Sequence, residues 1–243
     1  MKRTIIMALG VLLALALAMP MALAQVEQAG NKTGKAAKLA EAWTLWAYSR
    51  HAAELPTIGE DPEYSDEQCD GTPLSTTRTN TWFLAGTEGG SAEETVRTCT
   101  VPAETQLFFP VVSSTFFITE PEENKQIARE FVKNFIRAVE EDPDLSIVVT
   151  VDGEEISSDQ IVRAKTSFFP LFFPEDNIFA GSDVEAGTYQ TISNGLWVTL
   201  PPLPPGEHTI HFELSAPNVD RNPANPGPEG VFQNNTYILT VVS

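Results

Sequence analysis

The amino-acid sequence predicts a mainly β fold, an antiparallel β-sandwich with two flanking α-helices. Short apolar segments rich in β-branched and aromatic residues recur along the chain, and turn-forming Gly, Pro and Asp residues separate them. Only two segments, 36–50 and 122–141, have apolar residues at helical spacing. The chain is 42% hydrophobic and 20% charged, which supplies a sizeable core and excludes a wholly disordered protein.

The N-terminus has the three parts of a secretory signal peptide over residues 1–24. Lys2 and Arg3 form the positive part, an apolar run follows, and Ala22-Leu23-Ala24 is an A-x-A cleavage site. The apolar run is too short and wrongly flanked for a spanning helix, and no later stretch approaches the ~20 apolar residues that a bilayer requires. The sequence therefore predicts a secreted, extracellular or cell-surface protein with no transmembrane segment in the mature chain.

The charge balance is strongly acidic. The chain has 33 Asp+Glu against 15 Lys+Arg, a formal charge of −18, and removal of the signal peptide makes it more negative. A field of this sign repels nucleic-acid phosphates and anionic lipid headgroups. The composition therefore argues against nucleic acid as a partner. It is typical of a solvated acidic surface, with divalent cations or cationic surfaces as alternative partners.

The mature chain is expected to open with a flexible segment, residues 25–35, followed by a single domain, residues 36–243. The segment is polar, contains glycine and lacks periodicity. The first helix is predicted over residues 36–50, where Trp43 and Trp46 lie on one face. We interpret these tryptophans as core anchors rather than as a binding platform.

The two cysteines, Cys69 and Cys99, are expected to form a disulfide in an extracellular protein. Closure of a loop of about 30 residues would stabilise the fold by roughly 3–4 kcal/mol in the chain-entropy model. The bridge would tie down a long acidic loop from Glu54 to Thr79. A redox pair or a thiolate metal site needs C-x-x-C spacing or more soft ligands, which the sequence lacks.

Three strand-like segments follow, and the turns between them predict a meander. The segments are Thr81–Ala85, Val96–Val101 and Leu107–Phe117. Pro110 lies inside the third segment and has no N–H for a ladder hydrogen bond. We therefore expect this strand to lie at a sheet edge, or to be bulged or broken at Pro110.

The second helix is predicted over residues 122–141. Thr119 and Glu122 have the spacing of a capping box at its start. Its apolar residues recur at every fourth position, with Val132 and Ile136 in support, which predicts one face turned to the core. The main positions of that face are Ile127, Phe131, Phe135 and Val139.

The rest of the chain is predicted to be β. An apolar strand from Ser146 to Val151 runs into Asp152-Gly153, a strong hairpin signal. Further strands are expected at Gly195–Leu200, Glu207–Ser215 and Thr236–Val242. The second of these alternates apolar and polar residues, which is typical of a half-solvated antiparallel strand.

The sequence contains no G-x-S-x-G or S-x-x-K motif, which disfavours serine hydrolysis. The spacing of His208 and His211 on a strand sends the two rings to opposite faces, and His51 is the only third histidine. No acidic residue stands in an aromatic sequence context that would mark it as a general acid. A carboxylate pair for glycoside cleavage stays open, with Glu207 and Asp152 as examples.

The densest apolar feature is the segment 167–174, SFFPLFFP. If it faces solvent, it would dock a partner, a sugar ring or a membrane surface. Burial between a sheet and the second helix is the more economical interpretation. The candidate binding residues are Phe168, Phe169, Phe172 and Phe173.

A structural calcium ion is the one cofactor that the sequence leaves open, because oxygen ligands gathered on loops suffice for it. No loop matches the D-x-[DN]-x-[DN]-G pattern. The candidate ligands are Asp61, Asp66 and Asp70 in one loop and Asp220 in another.

Two sequons, at Asn31 and Asn234, permit N-glycosylation where the host has that machinery.

Five short motifs, taken in order, resemble a group of secreted microbial proteins of unknown function. The resemblance spans about residues 43–215 and implies no activity or site residues. The last motif also resembles the turn and strand near the end of immunoglobulin-like domains, so we expect an Ig-like or jelly-roll-like sandwich. The motifs are TWFLAGT (81–87), RTCTVP (97–102), LFFPV (107–111), VDG (151–153) and LPPGEHTI (203–210).

Two function classes follow from these patterns. The export signal, the sandwich-like strands and the lack of a catalytic motif favour a non-catalytic extracellular binding or cell-surface-associated module, with a glycan or a cell-surface protein as partner. The alternative is a secreted polysaccharide hydrolase that uses a carboxylate pair. Sandwich folds host both classes, so the geometry of the site must decide between them.

Overall fold

The computed structural model describes residues 31–51, 71–72, 80–119, 124–179, 184–220 and 230–243. The chain divides into two compact units, residues 1–35 and 36–243. Of the first unit, residues 31–35 are described and are helical, where the sequence predicts a flexible segment. The predicted signal peptide lies outside the described residues. No helix within the described ranges is long and apolar enough to cross a membrane.

The second unit is mostly β. Its described helices are α1, residues 36–48, and α2, Lys125–Glu140, and a short 3-10 helix covers Ser158–Gln160. The described part contains ten strands in two five-stranded sheets. In chain order these are β1 (Thr81–Phe83), β2 (Thr95–Pro102), β3 (Gln106–Phe117), β4 (Ser146–Val151), β5 (Glu154–Glu155), β6 (Ile161–Lys165), β7 (Phe169–Phe173), β8 (Gly187–Leu200), β9 (Gly206–Ala216) and β10 (Val231–Val242).

The first sheet has the order β1-β3-β8-β6, and β7 also pairs with β8. Strand β3 runs antiparallel along one side of β8, while β6 and β7 pair with successive stretches of its other side. The second sheet has the order β2-β10-β9-β4-β5. Strands β2 and β10 are parallel, and the other neighbours in that sheet are antiparallel.

The predicted meander of the first three strands is wrong. Strands β1 and β3 are parallel neighbours in the first sheet, whereas β2 crosses to the second sheet and pairs with β10. Both sheets are therefore mixed rather than purely antiparallel. The turn signals located the strands, but the partner of β2 lies at the far end of the chain, and local patterns carry no information about it.

Side chains from both sheets share one core. Phe109 of the first sheet stacks on Phe212 of the second, with ring centroids 4.8 Å apart. Val198 and Leu239 are fully buried in the same cluster. The two sheets thus cover each other's apolar faces, as layered β domains require.

Helix α1 covers the opposite face of the first sheet. Trp43 packs edge-on against Trp197 of β8 at 5.6 Å between ring centroids, and Trp46 packs on Phe83 of β1 at 5.5 Å. The indole N–H of Trp43 donates to the carbonyl of Leu84 at 2.8 Å. Both α1 tryptophans are buried, which confirms their interpretation as core anchors.

Helix α2 begins later than predicted. Its N-cap is Asn124, whose side-chain oxygen accepts hydrogen bonds from the N–H groups of Gln126 and Ile127 at 2.9 and 3.1 Å. These bonds satisfy two of the first free N–H groups of the helix, which is the role of an N-cap. The predicted cap at Thr119 is wrong for this reason, and Glu122 lies outside the described residues.

The buried face of α2 is only partly the predicted one. Ile127 and Phe131 are 50% and 43% exposed, whereas Val132 and Ile136 are fully buried against β3 and β8. Of the four main positions of the predicted face only Val139 is fully buried, because α2 is rotated toward the supporting positions Val132 and Ile136. Phe131 keeps one aromatic contact, with Phe116 of β3 at 5.2 Å.

The expectation for Pro110 is correct in one respect. The register between β3 and β8 shifts between Pro110 and Val112, so the strand is bulged there. Strand β3 is nevertheless flanked on both sides at its start, by β1 and β8. Beyond Phe108 only β8 still pairs with it in the described part of the chain.

The predicted hairpin is confirmed at Asp152-Gly153. Both residues have positive φ, 53° and 82°, and they join β4 to β5. Two φ values of this sign are what a two-residue type I′ hairpin turn needs, and Gly153 adopts one without steric cost. Strands β6 and β7 and the first half of β8 were not predicted as strands. Strand β6 is a short segment with two basic residues, β7 contains Pro170, and β8 begins with a mostly polar stretch.

The orientation of α2 is testable with two truncations. We expect Val132→Ala to lower the free energy of unfolding by about 2 kcal/mol, because it removes fully buried methyl groups and leaves a cavity. Phe131→Ala should cost about 1 kcal/mol or less, since the ring is half exposed and loses one aromatic contact. Urea unfolding measures both values. A larger loss for Phe131→Ala would contradict this orientation.

Candidate ligand-binding cleft

A cleft of about 570 Å³ opens in the second unit. Helix α1 supplies Trp43 and Tyr48, and the loop 86–90 after β1 supplies glycines and Glu88. The second half of β3, from Pro110 to Phe117, forms one wall, and residues of α2 and β10 border the cleft as well. The cleft therefore lies where helix α1, both sheets and helix α2 meet.

The most polar feature of the cleft is a hydrogen-bonded pair. The hydroxyl of Tyr48 donates to Oε2 of Glu88 at 2.9 Å. Burial, followed by the charge of Glu88, raises the pKa of Tyr48 well above 10.0. Tyr48 therefore stays a protonated phenol and a hydrogen-bond donor at physiological pH.

Glu88 has the desolvated environment that no acidic residue showed in the sequence. Burial of its carboxyl group raises the pKa of Glu88 above its ordinary value of 4.5, and the bond from Tyr48 opposes this shift. The residue as a whole still has exposed surface, so a ligand in the cleft has access to it. The carboxyl therefore combines a fixed hydrogen bond from Tyr48 with surface that a ligand can reach.

Aromatic rings form the wall beside this pair. Phe179 lies 6.1 Å from Tyr48 and 5.0 Å from Phe117, measured between ring centroids. Phe135 of α2 lines the cleft from another side. An apolar, aromatic lining with few polar groups is characteristic of small-ligand sites.

The loop that carries Glu88 is held against β10 by side-chain amides. Gln233 accepts the N–H of Thr87 at 2.9 Å and donates to the carbonyl of Thr87 at 2.8 Å. The approach at Gly86 is so close that a Cβ there would lie 2.6 Å from Oε1 of Gln233. A residue without a side chain at position 86 therefore allows this contact. Gln233 bonds to both backbone groups of Thr87, as the backbone of a neighbouring strand would.

A buried arginine lies beneath the same loop. Arg97 of β2 is 1% exposed and donates to Oδ1 of Asn235 at 2.8 Å and to the carbonyl of Ala85 at 3.3 Å. Its guanidinium lies 5.4 Å from the centre of the Tyr237 ring. The hydroxyl of Tyr237 donates to the carbonyl of Ala85 and accepts its N–H, at 2.9 and 3.0 Å. Strands β2 and β10 thus fix the start of the Glu88 loop.

The Phe-rich segment is divided between different surroundings. Phe169 and Phe173 are buried in the cluster that contains α1, and Phe172 is 54% exposed. Phe168 packs against α2, with Nζ of Lys125 and the guanidinium of Arg129 at 5.0 and 4.9 Å from its ring centre. The four candidate binding residues do not form one face, and none of them lines the cleft.

The two strand histidines have separate partners. His208 contacts the carboxylate of Asp152 at 2.7 Å and the carbonyl of Pro204 at 2.9 Å. His211 contacts the hydroxyl of Thr236 at 2.9 Å. The third histidine, His51, pairs with Asp176.

The Asp152–His208 pair is chemically distinct because both partners of His208 only accept hydrogen bonds. Both ring nitrogens can donate at once only in the imidazolium form. The bond to Asp152 accordingly raises the pKa of His208, and the bond from His208 lowers the pKa of Asp152. Asp152 is therefore an ionised structural carboxylate. Neither it nor the exposed Glu207 lines the cleft.

The remaining candidate residues lie apart from the cleft or outside the described ranges. No group of three or more His, Cys, Asp or Glu side chains suited to a metal occurs among the described residues. Asp220 is exposed, and Asn31 lies in a helical stretch. The side-chain amide of Asn234 donates to the carbonyl of Ala92 at 3.2 Å. Outside the described residues lie Asp61, Asp66 and Asp70.

Cys99 is fully buried in β2 and is not a free thiol. Its predicted partner, Cys69, lies outside the described residues, so the pairing stays a prediction.

Sequence patterns miss the cleft residues for a definable reason. Glu88 stands in the run Gly86-Thr-Glu-Gly-Gly90, which indicates only a turn, and Tyr48 is one residue of a helix. A single acidic residue inside a glycine-rich loop is the one available signal. The desolvation of its carboxyl depends on residues that are distant in sequence.

No protein-family model and no curated protein matches this chain. Among solved structures it is similar to a family 123 glycoside hydrolase from Clostridium perfringens, described for glycolipid glycan hydrolysis, at 10% identity and a TM-score of 0.23. That match covers 60% of this chain and 23% of the hydrolase. A second similar structure is the solution structure of Amebosin, at 10% identity and a TM-score of 0.14, covering 62% of this chain and 100% of that one. At such TM-scores neither match supports an argument about fold or function.

Removal of the buried arginine is the direct test of the network under the cleft. We expect Arg97→Met to lower the free energy of unfolding by about 3 kcal/mol, because Asn235 and the carbonyl of Ala85 lose a buried donor. The matched control is Arg137→Met on the exposed face of α2, which should stay within about 0.5 kcal/mol of the parent protein. Urea unfolding measures both. Equal losses would show that Arg97 has no special role.

The His208–Asp152 pair predicts a pH dependence of stability. The raised pKa of His208 contributes stability that is complete below about pH 6.5 and is lost as the pH rises through the folded-state value. The lowered pKa of Asp152 contributes stability above about pH 3.9 that is lost as the pH falls through its folded-state value. The pair therefore stabilises the fold most between these two limits.

We expect His208→Gln to lose about 1 kcal/mol or less at pH 5.5, since Asp152 is half exposed, and still less at pH 9. The control is His211→Gln, because His211 contacts the uncharged hydroxyl of Thr236 at 2.9 Å, and its nearest carboxylate oxygen, on Glu213, is 3.9 Å away. Thermal unfolding across this range measures the difference, and a loss for His208→Gln that does not change with pH would count against the imidazolium.

Proposed function

We propose that this protein is a secreted, non-catalytic extracellular or cell-surface-associated binding module, and that its ligand binds in the cleft beside Tyr48 and Glu88. The signal-peptide pattern supports export, and the Cys69–Cys99 disulfide is the pairing expected of an exported chain. The shared core of the two sheets supports a β-sandwich, and the Ig-like or jelly-roll-like type stays part of the proposal. The acidic composition argues against nucleic acid as the ligand.

One observation carries the proposal: the cleft combines aromatic walls with a held phenol–carboxyl pair. Its volume of about 570 Å³ falls within the range of roughly 300–1,000 Å³ that is common for ligand pockets. The apolar walls supply a contact surface, and Tyr48 and Glu88 supply oriented polar groups. The loop that carries Glu88 is fixed by Gln233 on β10, so the site is formed before the ligand arrives.

The same geometry favours binding over the alternative of polysaccharide hydrolysis. Glycoside cleavage in most families needs two carboxyl groups on opposite sides of the scissile bond. Among the described residues that line the cleft, Glu88 is the one carboxylic acid. The two acids suggested by the sequence, Asp152 and Glu207, lie outside the cleft lining.

The proposal is tested by a ligand screen with matched variants. Thermal unfolding of the purified full chain is measured against soluble polysaccharides and against a random peptide library. A ligand at 100 times its Kd should add roughly 2.7 kcal/mol of stability. For any ligand found, Glu88→Ala should weaken binding at least tenfold, since the carboxyl is lost, and Glu154→Ala, an exposed acid on the β4–β5 hairpin, should change the affinity less than twofold.

Two outcomes would contradict this function. A ligand whose affinity is equal for the parent protein and for Glu88→Ala would place the binding site elsewhere. Release of reducing ends from a polysaccharide, lost in Glu88→Ala, would establish the hydrolase instead.

A further inference from the structure

We propose that the ligand of the cleft is an extended peptide segment that adds a strand to the open edge of β3. This inference rests on the proposed function, because it names the ligand class of the same cleft. The open edge is defined as residues Ser113 to Phe117 of β3 on the side away from β8. The occupant is a segment of another protein whose backbone pairs with this edge and whose side chains enter the walls of the cleft.

Among the residues that the structure describes, this edge is open because β1 is short. Strand β8 pairs with β3 from Leu107 to Phe117, whereas β1 pairs only with Gln106 to Phe108. The last bond on the β1 side joins the N–H of Leu84 to the carbonyl of Phe108 at 3.1 Å. The chain then turns into the loop of residues 86–90, and within the described ranges no strand continues beside β3.

The hydrogen-bond pattern shows which backbone groups face the open side. The N–H of Ile118 donates to the carbonyl of Gln190, so Ile118 points toward β8. In an antiparallel ladder alternate residues point to the same side, so Phe116 and Ser114 also bond to β8. The N–H and carbonyl groups of the residues between them therefore point away from β8. These residues are Ser113, Thr115 and Phe117, and all three line the cleft.

The bulge selects this arrangement. On the β1 side, the carbonyl of Phe108 is bonded, and Pro110 stands two residues further along and has no N–H to leave unpaired. The register shift between Pro110 and Val112 then inserts one residue. Before the bulge, the even-numbered residues of β3 have their backbone N–H and carbonyl groups on the side away from β8. After it, the odd-numbered residues Ser113, Thr115 and Phe117 do, and these line the cleft.

An extended peptide matches this wall better than a sugar does. The three outward residues alternate N–H and carbonyl groups over roughly 13 Å, at about 3.3 Å per residue, which is the length of a five-residue strand. Another extended backbone presents the complementary series, and this is the basis of β-strand addition. Successive side chains of the peptide would point alternately toward the wall of Tyr48, Phe117 and Phe179 and toward Phe135, so apolar residues at alternate positions are expected.

The ligand experiment uses a random 12-residue peptide library displayed against the full chain. The selected peptide is then resynthesised with single N-methyl groups along its length. We expect N-methylation at every second residue of a five-residue stretch to weaken binding at least tenfold, because those N–H groups bond to β3. The intervening positions should change the affinity less than threefold. A uniform profile would overturn the inference.

Matched variants test the same bond from the side of the protein. Thr115→Pro removes one outward N–H without removing a ladder bond to β8, and it should weaken peptide binding at least tenfold. The matched control is Glu155→Pro on strand β5, outside the cleft lining. The bond from the N–H of Ile156 to the carbonyl of Val149 leaves the N–H of Glu155 pointing away from β4, so this variant also loses one outward N–H and should bind like the parent protein. Equal affinities of the two variants would contradict strand addition.

A second measurement covers the case in which Thr115→Pro does not fold. Amide hydrogen exchange of the parent protein should slow at Ser113, Thr115 and Phe117 when the peptide binds. Ser114, which already bonds to β8, serves as the internal control and should change little. Unchanged exchange at all three outward amides would overturn the inference.

The outcomes separate this inference from the function on which it rests. If a soluble polysaccharide binds in the cleft and no library peptide does, strand addition is wrong and the binding module stands. If neither class binds, both proposals fail. If the chain instead self-associates through this edge, with a doubled mass that Thr115→Pro abolishes, the occupant is a second copy and the inference is overturned.

Discussion

The structure around the cleft depends on the burial of one cation, Arg97. A guanidinium removed from water destabilises the fold unless oxygen acceptors surround it in good geometry. Asn235 and the carbonyl groups of Ala85 and Gly86 supply such acceptors, and the Tyr237 ring lies beside the charge. These groups come from β2, from β10 and from the chain after β1. Satisfying one side chain therefore fixes the two sheets and the Glu88 loop relative to one another.

The cleft itself results from the early end of β1. Where β1 pairs with β3, β3 has a neighbouring strand on both sides. In this part of the sheet, Phe83 and Phe108 pack beneath α1. Once the chain turns away at Gly86, β3 continues with one neighbouring strand in the described structure, and its backbone borders open space. The surrounding cores are tightly packed and the loop is tied to Gln233. A polar edge is thus presented by a rigid frame, which is how many proteins combine stability with a binding surface.

The structure corrects the sequence where two choices were locally equivalent. On α2, the stripe through Ile127 and Phe131 and the stripe through Val132 and Ile136 have the same periodicity. Periodicity shows that the helix has apolar residues on one side. It does not show which of two neighbouring apolar stripes is buried, because that depends on the elements that pack against the helix. Strands β3 and β8 favour the second stripe. Likewise, the turn signals located β1, β2 and β3. Strand β2 nevertheless does not pair with either of the other two, because strand partners are set by burial between segments that are distant in sequence.

The sequence by itself determined the features that depend on neighbouring residues. These are the β-rich class, the two helices, the turn at Asp152-Gly153 and the alternation along β9, each of which follows from local φ preference or periodicity. Only the tertiary structure decided the parallel pairing of β2 with β10, the open edge of β3 and the environment of Glu88. The reason is physical. The partner of a strand and the surroundings of a carboxyl group both depend on residues that are distant in sequence, as Tyr48 is from Glu88. A local sequence pattern contains no information about which distant residue lies next to it in the fold.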